Sequence, residues 1–130
     1  MTQIRRLTIV LAVSVGPATA SPLEDLLQGY RDNAGVLDPA RGAAAWTRPV
    51  PAPDGKHRRC SDCHGKDLAQ AGRHLGTGKP IPPLAPSVNP DALGDPAKVE
   101  KWIYRNCRWT WGRECSPQEK GDLILFLSNQ

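Results

Sequence analysis

The chain has 130 residues and a formal net charge of +4, and 39% of its residues are hydrophobic. This length suits one small domain. No basic stripe interleaved with aromatic residues is present, which argues against nucleic-acid binding, and the apolar run near the N-terminus is too short to span a bilayer.

The first twenty residues have the features of a secretory signal. Arg5 and Arg6 precede an apolar run at 7–15, and the segment ends in the small residues Ala18-Thr19-Ala20. We therefore expect residues 1–20 to be removed on export to the periplasm, with a retained membrane anchor as the alternative. Loss of the two arginines lowers the net charge to +2, so the overall basicity says little about partners.

Four helices are predicted where a capping residue is followed by proline. The first runs from Pro22 to about Asn33 and, with its linker, occupies 21–38 ahead of a main domain at 39–130. The others follow Asp38, Asp95 and Ser116.

Sustained period-2 alternation is absent from the sequence, so we expect no significant sheet and an all-α protein. Gly42 and Trp46 lie on one face of the second helix. In the last helix, Leu123, Phe126 and Leu127 form the predicted buried face. A glycine allows close approach, so Gly42 and Phe126 mark the predicted crossing of these two helices.

Cys60-Ser61-Asp62-Cys63-His64 matches the attachment sequence of a c-type haem. On a helical turn, Cys60 and Cys63 share a face and can meet the two vinyl groups of one porphyrin. His64 then becomes the proximal iron ligand. A zinc site or a redox-active dithiol is the alternative, but each wants a context that the sequence lacks.

A proline-rich stretch at 76–96 follows the motif, and proline disfavours regular structure. We expect this stretch to be a rigid, extended segment. Pro83 or a neighbour could offer its carbonyl oxygen to the second ring nitrogen of His64.

The sixth iron ligand decides the function. A methionine sulfur is excluded, because the only methionine is Met1 in the predicted signal. His57 is tethered too close to the haem motif, and His74 could reach the iron only if its loop folds across the haem. Asn106 is the stronger candidate, since it lies on the apolar stripe of the third helix; its alternative role is that of a helix cap.

An amide oxygen is a hard and weak ligand that suits ferric better than ferrous iron. If Asn106 is the ligand, the site would open on reduction and admit oxygen, nitric oxide or carbon monoxide. Cys107 and Cys115 remain after haem attachment, and in an exported protein such a pair predicts a disulfide. We hypothesise that this bridge limits the movement of Asn106.

From Ala40 to the C-terminus the chain resembles the sphaeroides haem protein family of oxygen-binding monohaem cytochromes c. The resemblance is carried by short motifs in a fixed order, which are Cys60 to Asp67, Gln70 to Arg73, Thr77 to Lys79, Pro83 to Ser87, Lys98 to Trp102, Arg105 to Cys107, Gly112 to Cys115 and Gln118 to Asp122.

The resemblance implies a class I cytochrome c fold with one covalent haem c. His64 would be the proximal ligand, and Asn106 a ferric-state ligand that is released on reduction. It also implies a dihaem cytochrome c as redox partner. The chain departs from the family pattern at Lys56-His57-Arg58-Arg59, which replaces a more neutral approach to the haem motif.

Two functions remain open from the sequence. One is a redox-linked protein that binds diatomic gases, with oxygen reduction or nitric oxide detoxification as conceivable turnover. The other is a simple electron carrier whose sixth ligand, Asn106 or His74, stays bound in both oxidation states.

Overall fold

The computed structural model describes residues 19–130, and the predicted signal sequence lies almost wholly outside this range. Five α-helices make up about half of the described chain, and the few strands are short, which confirms the all-α prediction. The helices are α1 Pro22–Ala34, α2 Pro39–Thr47, α3 Cys60–His64, α4 Pro96–Trp111 and α5 Pro117–Ser128. Within 19–130, none of these helices has the length and apolarity needed to cross a membrane.

The four predicted helix starts are confirmed by side-chain caps. Ser21, Asp38, Asp95 and Ser116 each accept a hydrogen bond from a backbone N–H in the first turn of α1, α2, α4 and α5. Each cap satisfies an amide that has no partner inside the helix. Ser116 and Glu119 form a reciprocal capping box, because the Glu119 carboxylate also accepts a hydrogen bond from the Ser116 amide at 2.9 Å.

The predicted crossing of α2 and α5 is also confirmed. A Cβ atom placed on Gly42 would overlap the carbonyl oxygen of Asp122 and lie 2.6 Å from the Cβ of Phe126. The rings of Trp46 and Phe126 lie 6.0 Å apart at the same crossing. Glycine is therefore required for the two backbones to approach this closely.

The buried face of α5 is wider than predicted. Leu123 and Leu127 are buried as expected, but Ile124 is fully buried while Phe126 is only partly so. The reason is that α5 packs against both α1 and α2. Contact on two sides buries an arc broader than the single stripe that helical periodicity predicts.

A buried carboxylate on α5 joins it to α2. Asp122 is 4% exposed and accepts hydrogen bonds from the Asp38 amide at 2.7 Å and the Arg41 Nε at 2.7 Å. The side chain of Gln118 donates a further bond at 2.9 Å. The polar residue is therefore satisfied in the core, as buried charges require.

Four two-residue strands form two antiparallel ladders between the helices. They are β1 Val50–Pro51 with β2 His57–Arg58, and β3 Gly72–Arg73 with β4 Pro80–Ile81. The expectation that 76–96 lacks regular structure is wrong in detail, because it contains β4 and a 3₁₀ turn at Pro90–Leu93. Proline can occupy the edge of a short ladder and the first position of a helical turn, which explains both elements. The division of the chain at residue 38 stays a prediction.

Candidate haem site

A cavity of about 690 Å³ lies between α3, the proline-rich stretch, α4 and α5. Its lining is mainly apolar and aromatic, and includes Leu84, Leu93, Val99, Ile103 and Leu127. This volume is in the range of cofactor pockets. Cys60, Cys63 and His64 reach it from α3, and Asn106 reaches it from α4. The fold therefore brings these four sequence-predicted residues to one cavity.

The thiols of Cys60 and Cys63 are both unbonded in the structure. Arg59 precedes the short helix α3 as its cap, and its amide donates to the Asp62 carboxylate at 2.9 Å. Gly65 follows the helix with a positive φ of 79°. Burial raises the pKa of the Cys60 thiol to about 11, so this sulfur is held protonated. One turn of helix presenting two free thiols to an apolar cavity fits attachment of a porphyrin through its vinyl groups.

The imidazole of His64 has one ring nitrogen, Nδ1, enclosed by protein atoms. This nitrogen has no hydrogen-bond partner among the described residues, and the residue lines the cavity. Burial lowers the pKa of the imidazole and so favours the neutral form, which is the form that binds a metal. The residue fits the role of a haem iron ligand.

Trp46 of α2 contacts the turn that carries His64. The Trp46 ring lies 5.4 Å from the His64 ring, and its Nε1 donates to the Gly65 carbonyl at 3.0 Å. The expected bond from His64 to the Pro83 carbonyl is absent in the described residues. That oxygen instead accepts a hydrogen bond from the Asn89 side chain at 2.7 Å. Asn89 is six residues later in the chain, so both partners lie within the proline-rich stretch.

Asn106 lies on the cavity side of α4, as its spacing predicts. Val99 is buried, Ile103 is partly buried, and both line the cavity together with Asn106. The Asn106 amide makes no side-chain hydrogen bond with the described residues, so its oxygen is available to another partner. A cap role is not supported, because α4 continues to Trp111.

His74 also lines the cavity, but its hydrogen bonds disfavour iron ligation. Its Nδ1 accepts from the amides of Gly76 and Thr77, each at 3.1 Å. The neutral ring therefore carries its proton on Nε2. Ligation through Nε2 would need that proton on Nδ1, where two donors already point. His57 is exposed on β2.

The structure links Cys107 and Cys115 in a disulfide with a Cα separation of 5.7 Å. This bridge ties the last turn of α4 to the residues that precede α5. It begins one residue after Asn106, so the turn that carries this amide is covalently restrained. Trp111, the last residue of α4, is buried, with the Arg48 guanidinium 4.8 Å from its ring centre.

The chain is similar to known proteins in both sequence and fold. Residues 32–127 match the model of a family described as a domain of unknown function, DUF1924. The chain is 43% identical over 129 residues to the cytochrome c-type protein SHP of Cereibacter sphaeroides, and the alignment covers 96% of this chain and 98% of that protein.

Two solved structures are similar in fold. One is oxidised SHP, described as an oxygen-binding cytochrome c, with a TM-score of 0.76 and 42% identity over 86% of this chain and all of the other. The second is the solution structure of cytochrome c'' from Methylophilus methylotrophus, which was studied for haem-ligand detachment. Its TM-score is 0.73, with 33% identity over 83% of this chain and 93% of the other.

Proposed function

Because the chain belongs to the family of the cytochrome c-type protein SHP, we propose that it is a redox-linked haem protein that binds diatomic gases. The family is one of monohaem c-type cytochromes with a class I cytochrome c-like fold, so one covalent haem c is the cofactor. When bound, this group supplies an iron that cycles between the ferric and ferrous states. The residues of the cavity then decide what the iron can bind.

We assign Cys60 and Cys63 as the attachment thiols and His64 as the proximal ligand. The support is the free state of both sulfurs, the enclosed Nδ1 of His64 and the shared cavity. The imidazole packs against the Trp46 ring, so rotating it away from the cavity would lose this aromatic contact. The contact therefore favours the orientation in which His64 can bind the iron.

We assign Asn106 as the sixth ligand of the ferric state. The single observation that carries this proposal is the placement of its amide, which has no hydrogen-bond partner among the described residues, on the wall of the cavity that His64 also lines. A methionine sulfur is excluded as the sixth ligand within 19–130, because no methionine occurs there. A neutral oxygen donor binds ferric iron better than ferrous iron, so reduction would release the amide and open the position to a gas.

We further propose where the protein is located and with which protein it exchanges electrons. The signal-like residues 1–20 favour a periplasmic protein. We also propose a dihaem cytochrome c as the redox partner. Helix α4 carries four basic side chains and a single acidic one, Glu100, which accepts a hydrogen bond from the Tyr30 hydroxyl at 2.8 Å. Its surface is therefore positive, which supports docking of an acidic partner.

Two variants of Asn106 test the ligand assignment. Asn106→Ala should change the ferric visible spectrum, because the sixth ligand is lost, and should leave gas binding to the ferrous protein intact. Asn106→His is the matched control, since imidazole binds iron in both oxidation states and should block carbon monoxide. An Asn106→Ala protein with an unchanged ferric spectrum would reject the assignment.

A further inference from the structure

Arg58 bridges the haem-attachment segment and the end of α4. Its Nη1 donates to the backbone carbonyl of Trp109 at 2.9 Å, and its guanidinium carbon lies 4.4 Å from the centre of the Trp109 ring. Its Nη2 donates to the Asp54 carboxylate at 2.9 Å. The planar guanidinium thus uses donors on both of its terminal nitrogens as well as its face, which a lysine could not reproduce.

Trp109 receives a second contact from the loop between β3 and β4. The His74 ring lies 6.3 Å from the Trp109 ring at an angle of 48°. His74 itself is held by the amides of Gly76 and Thr77. Two separate segments therefore meet on one tryptophan.

Trp109 lies close to Asn106 on α4, so contacts to Trp109 restrain the part of the helix that carries Asn106. Trp109 lies three residues after Asn106, in the last turn of α4, where carbonyl groups have no partner inside the helix. Arg58 supplies a partner for one of these carbonyls. Arg59, the next residue, is the cap of the helix that carries Cys60 and His64. A shift of the Asn106 turn relative to that helix must therefore break the contacts of Arg58.

We propose that Arg58 is a positioning residue that acts through Trp109 to hold Asn106 in place as the ferric ligand. This inference rests on the proposed role of Asn106. It also gives a role to one residue of the basic segment Lys56 to Arg59, which departs from the family pattern, because Arg58 contacts α4. Loss of the Arg58 contacts weakens the ferric Asn106 bond and leaves the ferrous state, in which the amide is detached, unaffected.

The sign of a change in reduction potential tests the proposal. A ligand that binds only ferric iron lowers the potential, so weakening it about tenfold raises the potential by about 59 mV for one electron. Loss of a positive charge alone has the opposite effect, since a nearby cation disfavours ferric iron. Arg58→Gln should raise the potential by this order and shift the ferric spectrum toward that of Asn106→Ala.

Two further variants separate geometry from charge. Arg58→Lys keeps the charge but loses the planar fork, so it should also raise the potential. Lys79→Gln removes a positive charge from the cavity wall and should lower it. If Arg58→Gln and Arg58→Lys both leave the potential unchanged or lower it, the positioning role is wrong.

The Asn106→Ala background distinguishes the two proposals. There the upward shift caused by Arg58→Gln should vanish, because no amide remains to be positioned. Persistence of the upward shift in that background overturns the role of Arg58. By contrast, a ferric spectrum that Asn106→Ala does not change overturns the ligand assignment itself.

Discussion

The Cα atom of Gly42 on α2 lies against the backbone carbonyl of Asp122 on α5, so closely that a methyl group on Gly42 would overlap that oxygen. Backbone atoms on both sides leave little room for adjustment. This contact sets the distance between the helix that precedes the haem motif and the terminal helix that forms one wall of the cavity.

Gly42→Ala should therefore destabilise the protein by about 1 to 3 kcal/mol, the usual cost of overpacking a tight interface. Denaturant unfolding of the haem-bound protein measures this loss. Gly29→Ala is the matched control, because Gly29 lies inside α1 and a Cβ there meets nothing within 4 Å. That change should stabilise by about 0.5 to 1 kcal/mol through helix propensity. Equal effects of the two substitutions would contradict the role of the crossing.

Asp122→Asn should cost about 2 kcal/mol, because it removes a charge-assisted acceptor from Arg41 and turns an N–H group toward other donors. Thermal or denaturant unfolding reports the change. Asp32→Asn on the exposed surface of α1 should stay within about 0.5 kcal/mol of the parent protein. A stable Asp122→Asn protein would show that the network is dispensable.

Acid stability should depend on Glu119. Hydrogen bonds from Arg113, and from the Ser116 amide, outweigh its partial burial and lower the pKa of this carboxyl from 4.5 to about 2. A lowered folded-state pKa stabilises the protein above the unfolded pKa. That contribution is lost as the pH falls from about 4.5 toward 2. Glu119→Gln should flatten the dependence of unfolding free energy on pH across this window, and an unchanged slope would exclude Glu119 as its source.

The disulfide between Cys107 and Cys115 should contribute about 2.6 kcal/mol by the loop-entropy relation for nine residues. Replacing both cysteines by serine removes it without leaving a free thiol. We also expect faster binding of carbon monoxide to the reduced protein, because without the bridge the detached Asn106 side chain can move farther from the iron. If the variant is destabilised but binds carbon monoxide at the same rate, the disulfide stabilises the fold and does not limit the movement of Asn106.

The helices were predictable because their signals are local. A capping side chain followed by proline acts within one turn, and Ser21, Asp38, Asp95 and Ser116 all start helices where the sequence predicts them. The spacing of Asn106 with Val99 and Ile103 is equally local, and it places the amide on the cavity wall.

Other features depend on contacts between distant segments. Asp122 is satisfied by Asp38 and Arg41, more than 80 residues earlier in the chain, and nothing near Asp122 in sequence signals this. Ile124 is buried because α1 adds a second packing surface to α5. The contact between Arg58 and Trp109 spans 51 residues, and periodicity within either segment does not reveal it.

The visible spectrum of the reduced protein with and without carbon monoxide tests the central claim most directly. If the Asn106 amide leaves the iron on reduction, adding carbon monoxide to the ferrous protein should shift the Soret band at once. A ferrous spectrum that is low-spin and unaffected by carbon monoxide would mean that the sixth ligand stays bound, and the protein would then be an electron carrier.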